Sequence, residues 1–223
     1  MIEWQAIALT LKLALVSTSL LLVVGIPLAW WLSQTQSKFK SAIEALITLP
    51  LILPPTVLGY YLLVAFSSDG ILGSLWGTLF GSSLVFSFSG LVLGSMLYSL
   101  PFVVQPIRDG FKNVDKNLLD IARTMGASSW QRFWLVSVPL ARPMMITGAV
   151  LGFAHTIGEF GVVLLIGGNI PGETRVVSIA LFDYVESLQM QEANVLAGIL
   201  LVFSFVVLLG VNMLSRYKLY PER

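Results

Sequence analysis

His155 and Glu159 stand four residues apart in a long apolar stretch, and ionisable side chains at membrane depth are the first place to look for chemistry. Each costs roughly 2.5–3.5 kcal/mol to insert, so each needs a partner or water. At helical spacing the two share a face. Two readings follow: the lining of a gate, or a hydrogen bond between imidazole and carboxylate that locks helices together. Direct ligation of an anion by Glu159 is not expected, because a carboxylate repels it. Gly158 and Gly161 flank the glutamate and suit either local bending or close helix packing. Ser95, Ser99 and Thr156 read as helix-packing groups rather than ligands. Pro50, Pro54 and Pro55 break backbone hydrogen bonding, which is tolerated in lipid only against protein or a water-lined cavity. They too line a pathway or mark a simple kink.

Other chemistry is excluded by what the chain lacks. There is no Gly-x-x-x-x-Gly-Lys-Ser/Thr run and no Gly-Lys pair to cradle nucleotide phosphates. A His-Glu-x-x-His site and a Gly-x-Ser-x-Gly elbow are also missing, and His155 is the single histidine. With no Cys, neither a disulfide nor a thiolate metal site can form, and a net charge of +1 gives no reason to expect nucleic acid. The chain is expected to be no enzyme by itself, with neither a metal nor a cofactor of its own.

These residues must be positioned by membrane-spanning helices. Of 223 residues, 56% are hydrophobic and 11% charged, and mean hydropathy is +0.85, too little polar surface for a water-soluble globule. A bilayer core needs about 20 apolar residues per helix, with every backbone polar group satisfied internally. Five stretches qualify, at about 6–32, 42–66, 84–107, 138–166 and 193–214. The expected fold is an all-α polytopic membrane protein, one domain over residues 1–223. The first run is too long for a signal-peptide core and is expected to be a retained span. Residues 71–80 are apolar but interrupted by Gly73 and Gly77, and suit a surface or re-entrant helix.

Lys and Arg gather on one side. Lys38 and Lys40 follow the first span; Arg108, Lys112, Lys116, Arg123, Arg132 and Arg142 lie between or at the ends of the third and fourth; Arg216, Lys218 and Arg223 follow the fifth. Arg175 lies opposite, and Lys12 is placed to snorkel. The positive-inside rule therefore puts the N-terminus outside and the C-terminus in the cytoplasm. Five spans exclude two equal inverted halves, and they enclose a polar pathway poorly, which points to a homodimer with the pathway on its axis.

The cytoplasmic loop at about 108–137 is patterned as two short helices. Asp115 suits an N-cap, Leu118, Leu119, Ala122 and Met125 recur at helical intervals, and Gly126 suits a C-cap. A second helix opening at Ser128 or Ser129 carries Trp130, Phe133 and Trp134 and runs into Pro139. Aromatics beside Arg132 read either as a protein-binding anchor or as part of an interfacial belt.

Asp120-Ile121-Ala122, Gly126, and Val136-Ser137-Val138-Pro139 are similar to the Glu-Ala-Ala…Gly…Ile-x-Leu-Pro signature of ABC importer permeases, with the spacing kept throughout. Asp stands for Glu at 120, Ile for Ala at 121, and Val for Ile and Leu at 136 and 138. Leu49-Pro50-Leu51-Ile52-Leu53-Pro54-Pro55, Ala122-Arg123-Thr124-Met125-Gly126-Ala127, Gly158-Glu159-Phe160-Gly161 and Asn169-Ile170-Pro171-Gly172-Glu173-Thr174-Arg175 together resemble the molybdate branch. The resemblance implies alternating access in a homodimer driven by two cytoplasmic ATPase subunits, which would bind ATP and Mg. It implies a coupling helix through Asp120, Ala122, Gly126, Ala127, Ser128, Trp130, Phe133 and Pro139. A path or gate is expected at Pro54, Pro55, His155, Gly158, Glu159 and Gly161. Asn169, Pro171, Gly172, Glu173 and Arg175 are expected to dock an extracytoplasmic oxyanion-binding protein. A sulfate-type permease, a stand-alone channel and a secondary carrier are the alternatives, the last two needing no ATPase.

Overall fold

The computed structural model describes residues 3–219, which form eleven α-helices and one π-helical turn with no strand among them. Met1, Ile2 and the segment 220–223, with Arg223, lie outside the described residues, as do the side chains of Arg216 and Lys218.

α1 (Trp4–Gln34), α5 (Phe88–Lys112) and α11 (Met190–Leu219) are long and apolar, as the first, third and fifth stretches predict. α5 is the centre of the bundle, packed by α1 and α8 (Val138–Gly158), which also pack on each other. Small residues permit that closeness. A Cβ on Gly152 would sit 2.4 Å from a Val103 methyl, and Ser17, Ser95, Ser99 and Thr156 are buried along the same seams.

The second stretch is not a straight span. It breaks at Leu53–Pro54 into α2 (Lys40–Ile52) and α3 (Pro55–Phe66), which bend by 113°. Pro54 cannot supply the N–H that would continue α2, while Pro55 occupies the first turn of α3, where a missing N–H costs nothing. Pro50 stays inside α2. α4 (Ile71–Phe80) is the short helix expected between the second and third spans.

The fourth span also differs from expectation. It starts in the polar loop, because α7 (Ser129–Arg132), a π turn (Phe133–Ser137) and α8 form one apolar run, Ser129–Gly158. It then stops at Gly158 and resumes as the short α9 (Gly161–Gly167). α6 (Lys116–Thr124) completes the loop, and α10 (Val177–Glu186) lies at the other end of the bundle.

Three apolar clusters fill the bundle among the described residues. One joins Leu13, Leu62, Phe66, Leu91 and Ile166; a second joins Leu21, Ile47, Val103, Ile107, Phe111 and Phe133; a smaller third joins Ala6, Val177, Ala180 and Leu196. At the second end Arg108 pairs with Glu44 at 3.1 Å, tying α5 to α2. At the first, Arg175 contacts Glu3 and Asp183, each at 2.9 Å. Tyr184 donates to the same Glu3 oxygen, and burial, followed by that carboxylate, holds its hydroxyl above the usual phenol range. Lys12 lies 4.6 Å above the Phe88 ring.

Candidate functional site

The helix breaks meet at one place. α8 ends where Glu159 takes extended backbone, φ −69° and ψ 135°, and α9 begins two residues later at Gly161. A Cβ on Gly161 would lie 2.7 Å from that of Pro55, so the start of α9 seats directly on the start of α3. Together these ends wall a cavity of about 520 Å³ lined by Pro55, Thr56, Tyr98, His155, Gly158, Glu159 and Gly161, among others. Of the expected path residues, Pro54 alone is off the lining; it caps α3 and is exposed.

His155 and Glu159 make no hydrogen bond to each other, so of the two readings the helix-locking bond is not formed. The helix ends at Gly158 and Glu159 takes extended backbone, so the helical i, i+4 relation no longer applies, although both residues line the cavity. His155 Nδ1 instead meets Ser99 Oγ at 2.9 Å, and its ring stacks on Phe102 with centroids 3.9 Å apart. Glu159 is 3% exposed, and neither carboxyl oxygen has a hydrogen-bond partner within the chain. Ser95 stands beside it without completing a hydrogen bond, its own hydroxyl also unpaired. The Glu159 carbonyl accepts from Ser178 of α10, anchoring the break. Tyr98, Phe102 and Thr56 escaped the sequence reading. Tyr98 and Phe102 are one turn apart on α5, a spacing that the sequence reading passed over.

At the far end of α8 the loop is exposed. Asp115 caps α6 through the Asn117 N–H at 2.9 Å, and Gly126 turns the chain with φ +83°, a conformation that suits glycine. The Ala127 N–H donates to the Ala122 carbonyl, and Ser128 with Gln131 closes a capping box on α7. Asp120, Ser128 and Pro139 are exposed, with Ala122 and Ala127 half-buried. Trp130 is 67% exposed beside exposed Leu118, Ile121 and Met125. Phe133 departs from the expected outward aromatic surface: it is 5% exposed and packs on Trp30 and Phe111. The π turn that begins there directs it into the bundle while Trp134 stays at the surface.

The third expected site divides. Asn169, Pro171, Gly172 and Glu173 are exposed on a tight turn in which the Ile170 carbonyl accepts from the N–H groups of Glu173, Thr174 and Arg175. Arg175 is half-buried and engaged within the chain by Glu3 and Asp183. Among the described residues no cluster of three or more His, Asp or Glu side chains is placed to hold a metal.

Residues 22–216 match the family described as binding-protein-dependent transport system inner membrane component. The chain is 53% identical to the molybdenum transport system permease protein ModB of Azotobacter vinelandii, over 97% of this chain and 96% of that one. It is 38% identical to ModB of Haemophilus influenzae, over 96% and 94%. Its fold is similar to a chain of a bacterial alginate ABC transporter, with a TM-score of 0.75 at 19% identity over 96% of this chain and 78% of that one.

Proposed function

The chain belongs to the family of binding-protein-dependent transport system inner membrane components, and from that membership we propose that it is the permease subunit of an ATP-driven molybdate importer. It is a multi-pass protein of the inner membrane. Tungstate, of the same shape and charge, is a second cargo. The working complex is two copies of this chain, two cytoplasmic ATPase subunits that bind ATP and Mg, and a binding protein outside that delivers the oxyanion. The N-terminus is outside, and the α6–α7 loop is cytoplasmic.

The observation that carries this reading is the continuous helical run Ser129–Gly158, α7 and α8 joined through the π turn. At 1.5 Å per residue it is about 45 Å long. One end holds the exposed Trp130; the other ends at the break where Gly158 and Glu159 wall the cavity. A partner that grips Trp130, Asp120 and the Gly126 turn moves the break as a rigid body, and Phe133 makes the bundle follow. The cavity has no Lys or Arg on its walls, which suits a pathway that passes a dianion without trapping it. Asn169, Pro171, Gly172 and Glu173 offer the outer docking surface, with Arg175 holding that surface in shape.

The test is uptake of labelled molybdate by cells without their own importer, supplied with this chain, its ATPase and its binding protein. Uptake that requires the ATPase, and that tungstate competes better than sulfate, is the expected result. Uptake without an ATPase would assign the chain to the carriers or channels, and preferential sulfate uptake would reassign the cargo.

A further inference from the structure

Another cavity opens on the flank of the bundle and shares no residue with the one at the break. It is a groove of about 280 Å³, walled by Leu72, Leu75 and Leu79 of α4 and by Leu93, Met96 and Leu97 of α5. Phe66, the last residue of α3, and Leu84 are its buried floor. Local packing holds α4 in place. A Cβ on Gly73 would collide with the Ser67 carbonyl, so the start of α4 sits tightly on the end of α3. Further along, Trp76 packs on Phe80 with centroids 4.1 Å apart, and its Nε1–H donates to Ser82 Oγ at 3.1 Å. Trp76 is the one lining side chain with a polar hydrogen, and that bond uses it. An oxyanion would find no donor here, and water would lack the partners that hold it in a buried site.

What fills the groove follows from its setting and its size. Leu72, Leu75, Leu79 and Leu97 are exposed, so the groove is continuous with apolar surface that lipid covers in an inner-membrane protein. From Phe88, where α5 starts, to Leu97 is nine residues, or about 14 Å at 1.5 Å per residue. Half of a hydrocarbon core about 30 Å thick is about 15 Å. The groove therefore runs the depth of one leaflet, from the serine-containing loop 81–87 to the middle of the bilayer. A neighbouring helix about 10 Å across would fill on the order of 1,000 Å³ over that length. That is far more than the space present. A single hydrocarbon chain roughly 5 Å across, as carbon contacts of about 4 Å set it, fills roughly 300 Å³.

We propose that this groove binds one acyl chain of a membrane phospholipid, drawn from the leaflet on the α10 side, with the headgroup over the loop 81–87. Inside it the chain touches protein on two walls and a floor, where bulk lipid touches one surface. The site follows from the membrane setting and is independent of the cargo.

The complete transporter tests it in vesicles of phosphatidylethanolamine and phosphatidylglycerol that include a phospholipid with a diazirine midway along one acyl chain. On illumination, mass spectrometry should find adducts on the half-buried Leu93 and Met96 as well as on Leu201 of α11, which is exposed to bulk lipid. Leu97→Trp, which fills the groove, should lose the Leu93 and Met96 adducts and keep those on Leu201. Adducts confined to exposed positions such as Leu79 and Leu201 would mean bulk lipid over a closed groove and overturn the proposal. Leu93 and Met96 labelling that survives Leu97→Trp overturns it too. So does an unlabelled α4 and α5 in a complex whose Leu79→Cys copies join by a disulfide, since a second copy then covers this face. If Leu97→Trp fails to assemble, the wild-type map decides between the half-buried and the exposed positions.

Discussion

With both carboxyl oxygens buried and unpaired, Glu159 costs the fold more than an amide of the same shape would. A Gln at this position keeps the shape without an ionisable group, and its NH2 can donate to the unpaired Ser95 hydroxyl. Glu159→Gln is therefore expected to stabilise by about 1 kcal/mol, raising the thermal midpoint in detergent by about 2–4 °C for a chain of this size. Transport should fall at the same time, since a group kept at such a cost at a helix break is one that function needs. A lower midpoint would mean that the carboxylate has a stabilising partner. Gly161→Ala acts through volume: its Cβ would lie 2.7 Å from Pro55, so α9 must lift from α3, and transport should drop while the chain still inserts. These residues were legible because ionisable side chains are costly at membrane depth, while proline and glycine mark helix breaks and close packing. What spacing could not give was the side on which Glu159 lands. The i, i+4 argument assumes a continuous helix, and Gly158 ends it.

At the scale of elements, the α7–α8 helix separates gripping from anchoring. Trp130 is 67% exposed and Phe133 5% exposed, though both were read from sequence as one aromatic surface. Trp130→Ala should leave the thermal midpoint within a degree or so and weaken ATPase association by about 2 kcal/mol or more, roughly 30-fold. Phe133→Ala should cost about 3–5 kcal/mol of stability, as emptying a buried aromatic site does. Equal effects of the two on melting would contradict the division. The amphipathic period and caps of α6 and α7 could be read directly, because those signals are local. The π turn could not, since it follows from packing Phe133 against Trp30 and Phe111 of other helices. The 113° bend was half legible: three prolines located the break, but the angle depends on α3 lying against α9.

For the whole molecule we propose that charge sets which end faces the cytoplasm. Lys38, Lys40, Arg108, Lys112, Lys116, Arg123, Arg132 and Arg142 belong to loops and helix ends on the side of α6 and α7. On the side of α10 stands Arg175, held by Glu3 and Asp183. Holding Lys and Arg back from translocation is what orients short-looped membrane proteins. The chain has no Cys, so a single introduced thiol reports its position without background. Ser129→Cys, on exposed α7, should resist a membrane-impermeant maleimide in intact spheroplasts and react in inside-out vesicles. Glu173→Cys, on the exposed turn before α10, should do the reverse. Labelling of Ser129→Cys from outside would put the lever beyond the reach of any ATP-consuming partner, and the coupling along Ser129–Gly158 would lose its driving end.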